Sequence, residues 1–190
     1  MAEGILDKVK NGVIGAVKGA GDIVGAVRTT VTDLVVGTLK EAGEITGAAL
    51  GVVTDAVRGA LQGTKDAGAG VAETARAIVS GAVEAVSQVG GDVVEGAKNA
   101  VRGAVRGATE VGTDVAVTAV GAVEGAVEAA GKVGQDVAGV ARAAAETALQ
   151  AVGEVSSEAV GAVKKGLSSA ASLPADVIRS VVGTDEEKSG

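Results

Sequence analysis

Apolar and polar positions recur along this chain with a period of eleven residues. The clearest run begins at Asp22, and an acid returns at Asp33, Glu44, Asp55 and Asp66. The frame reaches back to Asn11 and forward through Ala77 to Ser87, giving seven units. Gln88-Val89-Gly90-Gly91 interrupt it. It resumes at Asp92, passes Asp114, Asp136 and Glu158 at 22-residue steps, and ends at Ser168 after seven more units. Eleven residues make close to three helical turns, so a face drifts by only about 20° per unit and an apolar stripe can persist along one helix.

With each unit numbered from its acidic position, positions 2, 3, 5, 6, 9 and 10 carry a single charged residue, Glu41, in all fourteen units. Positions 1, 4, 8 and 11 gather on one side of a helical wheel, and 2, 3, 6, 9 and 10 on the other. Charges that avoid one face at this period indicate an amphipathic helix, whereas a strand would alternate at period two. Periodicity therefore outweighs the strand propensity of so much Val and Gly. The pattern predicts an all-α protein of long amphipathic Gly/Ala/Val-rich helices, folded as a helical hairpin that packs into a larger bundle or assembly. Residues 1–10 form a helical lead-in, 11–87 the first array, 88–91 a turn or, in a continuous helix, a stutter, 92–168 the second array, and 169–190 a short helix and polar tail. Each arm would hold about 80 residues and span roughly 120 Å at helical rise. Gly90 and Gly91 form the turn, and Asp92 caps the second arm. In the last segment Pro174 suits the first turn of a helix from Ala175 to Val182 that Gly183 ends.

Glycine changes the picture most. It recurs at or beside position 5 as Gly15, Gly25, Gly37, Gly47, Gly59, Gly70, Gly81, Gly96, Gly107, Gly139 and Gly161. Each glycine inside a helix costs roughly 1 kcal/mol relative to Ala. The row is therefore expected to be a helix-packing edge, approached closely enough for contact to offset that cost. Gly-x-x-x-Gly pairs such as Gly59/Gly63 and Gly103/Gly107 are spaced as in helices that touch backbone to backbone.

Composition agrees. The chain has no Phe, Trp, Tyr, His or Cys, one Met, one Pro and 31 Gly among 190 residues. Small apolar side chains cannot fill a thick interdigitated core, but they fill the narrow space between close helices. A mean hydropathy of +0.38 with 22% charged residues is unlike a solvated disordered chain. The net charge of −7 gives no reason to expect nucleic acid as a partner. Charges interrupt every apolar stretch before membrane-spanning length. The first residues carry no signal-peptide pattern, so a cytoplasmic protein without a transmembrane segment is expected.

Catalytic chemistry needs groups that titrate or attack within a shaped pocket. Without His or Cys the candidates are carboxylates, Lys, Ser and Thr, and the acids recur as an outer edge. Successive acids eleven residues apart lie about 16 Å apart on a helix, too far to share an ion. No phosphate-binding loop is present, and Gly19-Ala20-Gly21 and Gly68-Ala69-Gly70 begin a dinucleotide fingerprint without completing it. No catalytic, cofactor-binding or metal-binding residue is assigned, no cofactor is expected, and the chain is read as a non-enzyme.

Segments such as Gly59-Ala60-Leu61-Gln62-Gly63-Thr64-Lys65-Asp66 and Gly121-Ala122-Val123-Glu124-Gly125-Ala126-Val127 resemble the amphipathic eleven-residue repeats of group 3 late embryogenesis abundant proteins, perilipins and synucleins. The resemblance spans about residues 11–168 and lies in period and composition. It implies a helix that folds against a lipid surface or a protectant that becomes helical on drying. Two functions are therefore expected. The first is a structural protein that self-associates through its glycine-edged helices as a bundle, filament or sheath. The alternative is a stress protectant or amphipathic coat on membranes, lipid droplets or storage granules. The expected partner is another copy of the chain, or a lipid surface under the alternative.

Overall fold

The computed structural model describes residues 2–183, with side chains from residue 4 onward; the polar tail expected beyond Gly183 lies outside the described residues. Among the described residues the protein is all-α, with nine helices. They are α1 (Ala2–Gly19), α2 (Ile23–Ala42), α3 (Gly47–Asp66), α4 (Val71–Gln88), α5 (Val93–Val111), α6 (Val115–Lys132), α7 (Val137–Val155), α8 (Ser157–Ser169) and α9 (Ala175–Val182). None of these helices is long and apolar enough to cross a membrane.

The amphipathic helices are as expected, but the two long arms are not. Helices α1–α7 run for only 18 to 20 residues each. The expected turn at 88–91 is formed, and it is one of several. Gly43, Gly68, Gly90, Gly112 and Gly134 all have positive φ, and each stops a helix. Gly112, at φ 68 and ψ 35, shows why. The left-handed conformation turns the chain away from the helix axis, and glycine adopts it without a Cβ penalty. The next amide, Thr113 N–H, then donates 3.0 Å to the Ala108 carbonyl and satisfies a helix end. Gly91, Gln135 and Ala69 donate in the same way to Val86, Ala130 and Thr64.

The acidic position takes on a different meaning in this light. Asp22, Asp92, Asp114 and Asp136 stand at the N-cap positions of α2, α5, α6 and α7. Asp22 accepts from Gly25 N–H at 3.0 Å, Asp92 from Val94 and Glu95 at 2.9 and 3.1 Å, and Asp114 from Val117 at 3.0 Å. The structural unit is therefore a helix plus a turn, two eleven-residue units long. The lead-in is the first half of α1. At the other end Pro174 precedes α9, and Gly183 follows it, as the sequence predicts.

Each helix packs on the next helix and on the next but one. This places α1, α3, α5 and α7 in one layer and α2, α4, α6 and α8 in a second, with α9 closing against α7 and α8. The core lies between the layers. It is a continuous seam of Val, Ala and Leu, for example Val27, Val31, Val35 and Leu39 along α2. Only Val24, Val94, Val117 and Val155 remain as exposed large hydrophobics among the described residues. The apolar stripe read from the sequence is consumed inside one chain.

Candidate functional site

The feature repeated from α3 to α6 is a notched joint between a helix and the helix two before it. Gly15, Gly37, Gly59, Gly81, Gly103 and Gly125 fall one per helix from α1 to α6, at unbroken 22-residue spacing. A Cβ on Gly103 would lie 2.6 Å from the Thr54 carbonyl oxygen, and one on Gly81 2.7 Å from that of Arg28. On Gly59 and Gly125 it would meet the carbonyl oxygens of Leu6 and Arg76. Thus α3 sits in backbone contact on α1, α4 on α2, α5 on α3, and α6 on α4. Gly63 repeats the contact one turn on, where a Cβ would lie 2.5 Å from the Lys10 carbonyl oxygen, and a Cβ on Gly107 would lie 2.8 Å from the Leu61 side chain. Threonine hydroxyls tie two of the joints: Thr32 donates to the Gly81 carbonyl at 3.0 Å, and Thr54 to that of Asn99 at 3.1 Å.

The four-residue interruption of the acidic frame has a packing counterpart. Gly59 and Gly81 receive a carbonyl 53 residues earlier in the chain, whereas Gly103 and Gly125 receive one 49 residues earlier. Four residues are about one helical turn, so later joints are offset by a turn while the glycine register continues.

Of the expected packing-edge glycines, Gly59, Gly81, Gly96 and Gly107 lie in close approaches, Gly96 against Val86 at 2.9 Å. The others do not form one continuous edge. Gly25, Gly70 and Gly139 have as their nearest neighbours the side chains of Asp22, Glu73 and Asp136 at their own helix starts. Gly15, Gly37, Gly47 and Gly161 have nothing within 4 Å of a Cβ position. The physical reason is the turn at every second unit. One glycine of each pair falls in mid-helix, and the other falls at a helix start. Of the two turn glycines, Gly90 has φ 73, while Gly91 is needed for space, since a Cβ there would lie 2.8 Å from Val86 and 2.9 Å from Ile45. Gly63, Gly103, Gly125 and Gly166 make close approaches outside the expected edge. The signal that finds the first three is spacing by 22 and 44 residues rather than eleven.

Ion pairs flank the joints. Lys10 of α1 pairs with Asp66 of α3 at 2.8 Å, and Arg58 of α3 with Glu110 of α5 at 2.5 Å. In the other layer Arg28 of α2 pairs with Glu84 of α4, and Arg76 of α4 with Glu128 of α6 at 2.8 Å. Glu128 also pairs with Lys132. The hydrogen bond from Lys132, and then that from Arg76, holds the Glu128 carboxyl below its ordinary range against partial burial. Hydrogen bonds to Glu84 and to Glu110 likewise raise the guanidinium pKa values of Arg28 and Arg58. Each pair is part-exposed and contributes modestly to stability; together they fix which turn of one helix faces which turn of the next. No group of three or more acids that could hold a metal ion occurs among the described residues.

No protein-family model matches the sequence. No curated protein matches it either. The fold is similar to the crystal structure of the de novo designed helical repeat protein DHR7, with a TM-score of 0.52 over 97% of this chain and 98% of that one, at 21% sequence identity. At that identity the likeness shows the fold alone, an all-helical repeat stack that extends over the whole described chain.

Proposed function

We propose that the chain is a non-enzymatic structural protein, a helical-repeat stack that self-associates by extending its own glycine-notched joint to another copy. The observation that carries this reading is a set of register glycines without a seat. Gly15 and Gly37 occupy the same 22-residue positions that seat on a neighbouring backbone in α3 to α6, and Gly19 repeats Gly63. Among the described residues nothing lies within 4 Å of a Cβ position at any of the three.

This open face is also polar. Asp7, Lys8, Asn11 and Lys18 line α1, and Asp33, Lys40 and Glu41 line α2, all exposed. Charged side chains that meet across such a face attract weakly and are screened by salt, so association through this face is reversible, weak and salt-dependent. A coat on lipid or storage granules is less well supported, because the apolar stripes a surface would take up are covered by neighbouring helices. A cytoplasmic location is part of the same proposal.

Sedimentation velocity across protein and salt concentration tests the reading. Concentration-dependent association is expected, and it should weaken in Gly15→Leu/Gly37→Leu while circular dichroism stays unchanged. A chain that remains monomeric at all concentrations, or association indifferent to both substitutions, would overturn it.

A further inference from the structure

The joint between α5 and α7 departs from the others. In α3 and α5 the notch residues are Gly59/Gly63 and Gly103/Gly107; the register-equivalent residues of α7 are Thr147 and Ala151. Thr147 is buried, 3% exposed. Side chains stand where the notch would be, and a cleft of about 220 Å³ lies between the two helices.

Arg102 and Arg106 of α5, one helical turn apart, line one wall together with Glu110, whose charge Arg58 already takes, and Gln150 and Glu154 of α7 line the other. Forty-four residues earlier the equivalent wall is closed. There Arg58 Nε donates to Glu110 at 3.1 Å and Gln62 donates to Glu110 at 2.9 Å, while Lys65 reaches the Val111 carbonyl. In the α5/α7 cleft, Arg102, Arg106, Gln150 and Glu154 make no hydrogen bond or ion pair among the described residues. Two guanidinium groups, the Glu154 carboxylate and one amide face a common space without a protein partner among the described residues, beside the Glu110 carboxylate that Arg58 holds.

We propose that this cleft binds a small dicarboxylic amino acid. The two guanidinium groups take the two carboxylates, by the planar paired contacts that favour Arg over Lys. Glu154 takes the ammonium group, and Gln150 offers a further acceptor. Val105 and Val155 line the same space and cover the methylene chain. A simple dianion lacks the group that Glu154 needs and meets its charge unfavourably, so the ligand carries an ammonium group as well as its carboxylates.

Amide chemical-shift titration of the full chain at low salt tests this, with L-glutamate as the probe and glutarate, which lacks the ammonium, as its control. Saturable shifts in α5 and α7 are expected with L-glutamate, and about fivefold weaker binding with glutarate. Glu154→Gln should narrow that preference, and Arg102→Gln/Arg106→Gln should abolish binding of both probes. Thr147→Gly should close the cleft and weaken binding without altering any charged group. Were Thr147→Gly to unfold, the Glu154 and Arg variants would decide the matter. Absence of saturable shifts, equal binding of the two probes, or unchanged binding in the double Arg variant would overturn the proposal.

Discussion

Register-equivalent glycines should respond to the same substitution with opposite signs. Take Gly103→Ala at a seated joint and Gly37→Ala at an open one. At Gly103 the added Cβ would lie 2.6 Å from the Thr54 carbonyl oxygen, 3.0 Å from Val57 Cβ and 3.1 Å from Thr54 Cα. Two of these three neighbours are backbone, so no rotamer change relieves the clash. Reaching ordinary contact requires α5 and α3 to part by about 0.8 Å, which stretches the Thr54 hydroxyl bond to Asn99 as well. Overpacking of this kind costs about 1–3 kcal/mol, against a helix-propensity gain of roughly 1 kcal/mol. The net loss is up to about 2 kcal/mol. At Gly37 nothing lies within 4 Å of the new Cβ. Only the gain remains there, about 0.4–1 kcal/mol, chiefly from restricting the unfolded chain. Urea unfolding followed by circular dichroism in dilute solution should place the midpoint of Gly103→Ala below wild type and that of Gly37→Ala above it. With a slope near 2 kcal/mol per molar urea, the two should differ by about 1 M. If Gly103→Ala stabilises the chain as Gly37→Ala does, the helices do not touch at Gly103 and the notched joint is refuted.

Other consequences can be tested individually. Gly112→Ala forces a side chain into the left-handed region and should cost about 1–2 kcal/mol, with faster hydrogen exchange at the end of α5; unchanged exchange there would count against the turn. Asp114→Ala removes the acceptor for Val117 N–H and should cost about 1 kcal/mol, while Asp114→Asn should recover most of it. For pH, the Glu128 carboxyl is held below its ordinary value of 4.5 in the fold. Its contribution is therefore fully present above the unfolded value and is lost as pH falls through the lower folded value. Glu128→Gln should flatten the loss of stability on the acid side below about pH 4.5. Parallel pH profiles for variant and wild type would contradict the assignment of Lys132 and Arg76 as its partners.

The helical class and the buried stripe were legible because charge placement reports helix phase directly. Val27, Val31 and Val35 are core in the fold, and all three sit on positions the eleven-residue frame leaves uncharged; Leu39, also core, sits on the seventh position, which carries Arg28, Lys98, Arg142 and Lys164 in other units. The turns were harder. Gly90-Gly91-Asp92 stands out as the only Gly-Gly pair, but Gly112-Thr113-Asp114 is the same stop-and-cap device with one residue changed, and Gly134-Gln135-Asp136 repeats the stop with Asp136 at the N-cap position but without a side-chain hydrogen bond. In a chain with 31 glycines, a turn glycine and a packing glycine look alike. Asp114 and Asp136, unlike Asp92, pass in the sequence for members of an outer acidic edge, because an N-cap and an exposed helical position both favour Asp. The α5/α7 cleft was not legible at all. It lies between side chains of α5 and α7, and pairing α7 with α5 rather than with another helix is a tertiary fact.

The amino-acid order alone settles local matters: helix phase, which face is apolar, the exclusion of large side chains, and the short helix after Pro174. Those follow from steric and solvation preferences within a few turns of chain. The fold settles which glycines turn and which touch, that the apolar face is spent within one chain, and where the stack is left open. These are choices between helices far apart in sequence. They are decided by how closely two backbones can approach, and that distance depends on both partners at once.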